Sequence, residues 1–124
     1  MKQLKNIFRL IGFIFFLSSC SGDTKNNKLI VGNWVGLTWS PGEKSFPLNE
    51  DNTHFSFDDR GNYNFQFMEH AEAGTYKVEH DMLFTKPEKQ EQEIMVKIIK
   101  LTKDSMVFDM SRSGAAESLT LLRK

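Results

Sequence analysis

Residues 53–67 read Thr53-His54-Phe55-Ser56-Phe57-Asp58-Asp59-Arg60-Gly61-Asn62-Tyr63-Asn64-Phe65-Gln66-Phe67. Phe55 and Phe57 alternate with polar residues before the centre of this stretch, and Tyr63, Phe65 and Phe67 do so after it. A period of two places all five rings on one face of two extended segments. The intervening Asp58-Asp59-Arg60-Gly61 is turn chemistry, with a glycine able to take positive φ. The stretch therefore predicts an antiparallel hairpin with one aromatic face.

The same alternation continues in both directions. Upstream, Asn33–Trp39 is a first strand, followed by a turn at Ser40-Pro41-Gly42-Glu43 and a polar loop to Asn52. Downstream, strands are expected at Gly74–Glu79, Met82–Thr85, Glu93–Leu101, Met106–Met110 and Glu117–Arg123. Tight or charged turns separate them at His80-Asp81, Lys86–Gln90, Thr102–Ser105 and Ser111–Gly114. Glu69-His70-Ala71-Glu72-Ala73 has helical propensity but is too short to stand alone, and reads as a turn. About eight short strands at regular spacing predict an all-β antiparallel meander over residues 29–124. Closing that meander into a small barrel removes its unpaired edges.

The first 20 residues follow another pattern. Lys2, Lys5 and Arg9 form a positive segment, Leu10–Leu17 an apolar one, and Leu17-Ser18-Ser19-Cys20 closes it. The apolar run falls short of the roughly 20 residues that span a bilayer and suits a signal peptide. The last four residues resemble the lipobox of bacterial lipoproteins. That resemblance implies lipid attachment at the Cys20 thiol, cleavage before Cys20, and a mature N-terminus held in a membrane. Residues 1–19 are then the signal peptide. Residues 20–28, with Ser21-Gly22-Asp23-Thr24-Lys25-Asn26-Asn27-Lys28 polar and aperiodic, read as a flexible tether. Ser21, where an Asp would signal inner-membrane retention, favours the outer membrane of the cell envelope; neither the periplasmic nor the surface face is selected.

Composition narrows the function classes. Three of the 16 basic residues lie in the leader and none of the 16 acidic ones do, so the mature part carries 13 basic against 16 acidic groups. A weakly acidic domain lacks the electrostatic footprint of a nucleic-acid binder. The single cysteine, Cys20, excludes an intramolecular disulfide and a paired-thiolate metal site. His54, His70 and His80 are spaced too widely for a helical or strand ligand pair. Glu50-Asp51, Asp58-Asp59 and Glu91-Gln92-Glu93 sit in or beside turns, where solvated charge is routine. No nucleophile elbow and no phosphate loop occurs. The reading is a non-enzyme without metal or cofactor.

Gly32-Asn33-Trp34 at the start of the first strand resembles the Gly-x-Trp signature of lipocalins. Phe57–Tyr63, Gly74-Thr75-Tyr76 and Ser118–Arg123 are similar to the pattern of small bacterial lipocalin-like lipoproteins. The resemblance implies that Trp34 packs across the closed end of the barrel beneath Arg123. It also makes Phe55, Phe57, Tyr63, Phe65, Phe67, Tyr76 and Phe84 candidates to line a pocket for a small apolar ligand or lipid, entered opposite Trp34. A chain this short favours a packed interior over a pocket. The competing expectation is a protein-interaction module of the envelope (a scaffold, inhibitor or immunity protein) presenting the polar loops at 40–52 and 86–92.

Overall fold

The structure is a computed structural model that describes residues 21–111 and 114–124. The leader and Cys20 lie outside the described residues. The chain forms a helix α1 (Ser21–Ile30) followed by nine strands: β1 (Gly32–Pro41), β2 (Phe46–Pro47), β3 (Thr53–Phe57), β4 (Asn62–Phe67), β5 (His70–Glu79), β6 (Met82–Pro87), β7 (Ile94–Leu101), β8 (Ser105–Asp109) and β9 (Glu117–Arg123).

All pairings are antiparallel. β1 and then β3 to β9 each pair with the next, and β9 returns to β1 along Trp34↔Arg123 to Pro41↔Glu117. Eight strands thus close into a barrel, as the alternation predicts. The ninth, β2, adds to β1 through Thr38↔Pro47 and Trp39↔Phe46, inside the stretch expected to be a polar loop.

The expected hairpin is present, with Phe55 opposite Phe65 and Phe57 opposite Tyr63. Its turn is held by Asp58, whose Oδ1 accepts the Arg60 and Asn62 amides at 2.8 Å each. These bonds, led by the one from the Asn62 amide, hold the Asp58 carboxyl below its usual range. Two register shifts re-aim side chains elsewhere. One falls between Gly36 and Thr38 on β1 and lets Trp39 share a face with Leu119. The other falls between Ile98 and Lys100 on β7 and brings Leu101 opposite the buried Met106. A bulge shifts the period of two by one residue, which is how both strands keep apolar side chains inward on either side of it.

The core fills one end of the barrel. Ile30, Trp34, Met106, Leu119 and Leu121 are fully buried. At this end the Arg123 guanidinium lies over the Trp34 ring, 4.2 Å from its centroid. Gly32 has φ of 138°, and a Cβ there would collide with Nη1 of Arg123. The glycine two residues before the tryptophan is therefore the space the guanidinium occupies.

Two expectations are corrected. The tether expected over residues 20–28 is, from Ser21, the helix α1. Its residues are poor helix formers, so its stability comes from packing and capping. Ile30 plugs the core; Trp34 Nε1 donates to Ile30 O at 2.9 Å, and Arg123 donates to Leu29 O and, at 2.9 Å, to Val31 O. The carbonyls at the helix C-terminus thus find donors on β1 and β9. Asn26 and Asn27 tie the same helix to His80 O and Val78 O of the β5–β6 hairpin. The second correction concerns residues 69–73. Only Met68 and Glu69 form the turn, Met68 with φ of 56°, and His70 to Ala73 belong to β5.

Candidate functional site

The barrel opens at the end away from Trp34. A cavity of about 540 Å³ opens between the β6–β7 turn and the ends of β4 and β8. Much of the interior is packed, with Phe57, Tyr63, Leu83, Phe108 and Leu119 buried in one core cluster, and the opening is confined to the end away from Trp34, where the rings stack. Phe55 and Phe65 lie nearly parallel at 4.7 Å, Tyr63 and Phe65 at 6.1 Å, and Phe55 and Phe57 at 6.3 Å. Most aromatic side chains of β3 and β4 stack along their own wall, while Phe55 also meets Phe108 of β8 at 6.0 Å. The facing wall, from β6 and β7, carries the shorter Leu83, Thr85 and Val96.

Five of the seven aromatic candidates line this cavity: Phe55, Phe57, Tyr63, Phe65 and Phe67. Tyr76 points into the barrel below it, with its ring edge-on to Phe57 at 5.0 Å and its hydroxyl donating to Asp58 O. Desolvation, reinforced by Asp58 and Asp59, pushes that phenol up to about 12. Phe84 faces outward. Its neighbours Leu83 and Thr85 are buried on the inner face, and the Lys77 ammonium sits 5.2 Å from its ring. Phe84 is therefore removed from the candidate set: strand alternation gives it the opposite face from Leu83.

The wall also holds polar groups that the sequence reading did not assign. Glu72 sits opposite Phe65 on β5, its side chain 13% exposed. One carboxylate oxygen accepts the Tyr63 hydroxyl at 2.6 Å, and the other lies 3.1 Å from His70 Nε2. Burial, then the bond to Glu72, raises the Tyr63 phenol well above its ordinary range, so it stays protonated and donating. His70 is at the rim, 64% exposed, with its ring 5.7 Å from Phe65. Among the described residues, no lysine or arginine lines the cavity. The missed signal was present: counting back by twos from Tyr76 gives Gly74, Glu72 and His70 on one face. Among the described residues, no cluster of three metal-ligating side chains occurs.

A closed antiparallel barrel, an arginine over a tryptophan at one end and an open aromatic cavity at the other now stand beside a family match. The model of the lipocalin-like domain matches residues 30–108, more than half of the chain. The chain belongs to this lipocalin-like family. Solved structures share the fold. A lipocalin-like protein from Bacteroides uniformis ATCC 8492 is 12% identical with a TM-score of 0.59, over 77% of this chain and 97% of that one. An uncharacterized protein from Bacteroides eggerthii DSM 20697 is 14% identical with a TM-score of 0.61, over 77% of this chain and 99% of that one. No curated protein matches the sequence. In the lipocalin-like barrel described here, Trp34 and Arg123 close one end and Trp39 stands at the other. The Trp39 indole donates to Glu117 at 2.8 Å and meets Phe67 edge-on at 5.3 Å.

Proposed function

We propose that this protein is a lipid-anchored envelope lipoprotein that binds a small, largely apolar molecule in its barrel cavity. The observation that carries the reading is the cavity itself. Its volume lies inside the range of about 300–1,000 Å³ typical of small-molecule sites. Its wall is mostly aromatic and aliphatic, with a few convergent polar groups. Such a wall supplies affinity through burial of apolar surface, at roughly 25 cal/mol per Å². The leader ending at Cys20 supports the anchor. Two or three acyl chains hold a protein to a bilayer far more firmly than one.

The geometry of α1 adds an orientation. A ten-residue helix spans about 15 Å, and α1 ends at Ile30 in the closed end of the barrel. A lipid on Cys20 would therefore draw the Trp34 end toward the membrane and leave the cavity mouth facing away from it.

The neutral apolar dye N-phenylnaphthylamine tests the binding reading on the soluble domain (Cys20 replaced by Ser). Uptake should brighten the dye and saturate at one equivalent. Val96→Trp, which fills the cavity from the β7 wall, should abolish the signal while leaving the β-sheet circular dichroism intact. Equal dye uptake by the filled variant would refute the cavity as the site.

A further inference from the structure

We infer that the ligand is an amphiphilic organic cation: an apolar body bearing an amine or ammonium group that docks against Glu72. This rests on the cavity being a ligand site and adds the chemical class of what it takes.

The argument starts from charge. Among the described residues, Glu72 is the one formally acidic residue lining the cavity, and neither lysine nor arginine joins it there. It meets the Tyr63 hydroxyl and the His70 imidazole, and the imidazole stands mostly in solvent at the rim. A carboxylate offers about four acceptor positions, so two partners leave capacity unused. Holding an anion in an apolar cavity is costly unless an opposite charge or further donors compensate it. Among the described residues that line the cavity none is a lysine or arginine; Lys89 stands with Glu72 along the adjoining groove, outside that lining. An ammonium group on a ligand would supply the opposite charge, through a charge-assisted hydrogen bond.

The walls point to the same chemistry. Phe65 lies directly across the β4–β5 ladder from Glu72, and Phe55 stacks on Phe65. Aromatic faces carry negative potential and attract cations within about 6 Å of the ring centre. The Tyr63 hydroxyl acts as a positioning group, because its bond to one carboxylate oxygen orients Glu72. An anionic ligand such as a fatty acid would instead meet like charge beside its head group.

Three probes of one shape decide the matter: phenylbutylamine, phenylbutanol and phenylbutyrate, titrated calorimetrically at neutral pH into the soluble domain. The amine should bind about tenfold or more tighter than the alcohol, as expected for a hydrogen bond to a charged group, and the carboxylate should bind weakest. Glu72→Gln should erase the preference for the amine over the alcohol. Tyr63→Phe, which keeps the charge, should keep most of the preference. The wild-type comparison needs no variant, so misfolding of either substitution cannot blunt it. Equal binding of amine and alcohol, or tighter binding of the carboxylate, would overturn the cation assignment and leave the cavity as an apolar site. Binding of none of the three, with the dye also excluded, would overturn both.

Discussion

Tyr63 and Tyr76 show how single side chains link the barrel wall to its stability. Each phenol is held protonated by burial, Tyr63 with help from Glu72 and Tyr76 with help from Asp58 and Asp59. A group whose folded pKa exceeds its unfolded value keeps its full contribution below the unfolded pKa, here 10.0. That contribution is then lost as pH rises through the folded pKa. Urea midpoints should therefore be flat up to about pH 10 and fall steadily from there to about pH 12. The Tyr63→Phe, Tyr76→Phe double variant should flatten the fall. Phenolate absorbance appearing with an ordinary midpoint near 10 in the folded protein would contradict this account. At this scale the sequence was plain for the aromatic wall and harder to read for its polar half, which the register from Tyr76 alone discloses. Phe55, Phe57, Tyr63, Phe65 and Phe67 announce themselves because apolar–polar alternation is the signal of a half-buried strand. Glu72 and His70 occupy inward positions with polar side chains, so the alternation that would reveal them is broken by the very residues that matter.

Among elements, α1 was the least visible. Its Ser-Gly-Asp-Thr-Lys-Asn-Asn sequence has neither the propensity nor the periodicity of a helix. What holds it comes from Arg123, 92 and 94 residues from two of the three carbonyls it serves, and from the hairpin at His80. No local window contains that information. Removing the guanidinium tests the dependence. Arg123→Ala should cost about 2–3 kcal/mol, combining lost charge-assisted hydrogen bonds with the cation–π contact, and should speed amide hydrogen exchange in α1. Arg123→Lys should recover less than half of this, because an ammonium lacks the planar fork that reaches several carbonyls at once. Wild-type stability and unchanged exchange in Arg123→Ala would show that the helix stands without this cap. By contrast the β3–β4 hairpin was legible because Asp58, Gly61 and the flanking rings all lie within one short stretch.

For the whole molecule, the sequence supported the closed barrel, since eight alternating segments with short turns have one economical way to pair their edges. It did not show whether the barrel is filled. That depends on how the rings of β3 and β4 stack on one another and on Phe108, and on two bulges that rotate Trp39 and Leu101 inward. A lipid on Cys20, as proposed, together with the position of α1 would turn the Trp34 end toward the bilayer. A fluorophore placed on a cysteine at position 103, in the closed-end β7–β8 turn, should be quenched by brominated lipids when the lipidated protein sits in vesicles. The same fluorophore at position 89, in the β6–β7 turn beside the mouth, should not be. The reverse pattern would turn the barrel over. The central claim, that this cavity carries a small molecule, is tested most directly by native mass spectrometry of protein released from envelopes in mild detergent. The account predicts a mass exceeding that of the lipidated polypeptide by one small organic molecule, an excess that Val96→Trp removes. The lipidated polypeptide mass alone, in both proteins and from freshly prepared envelopes, would contradict it.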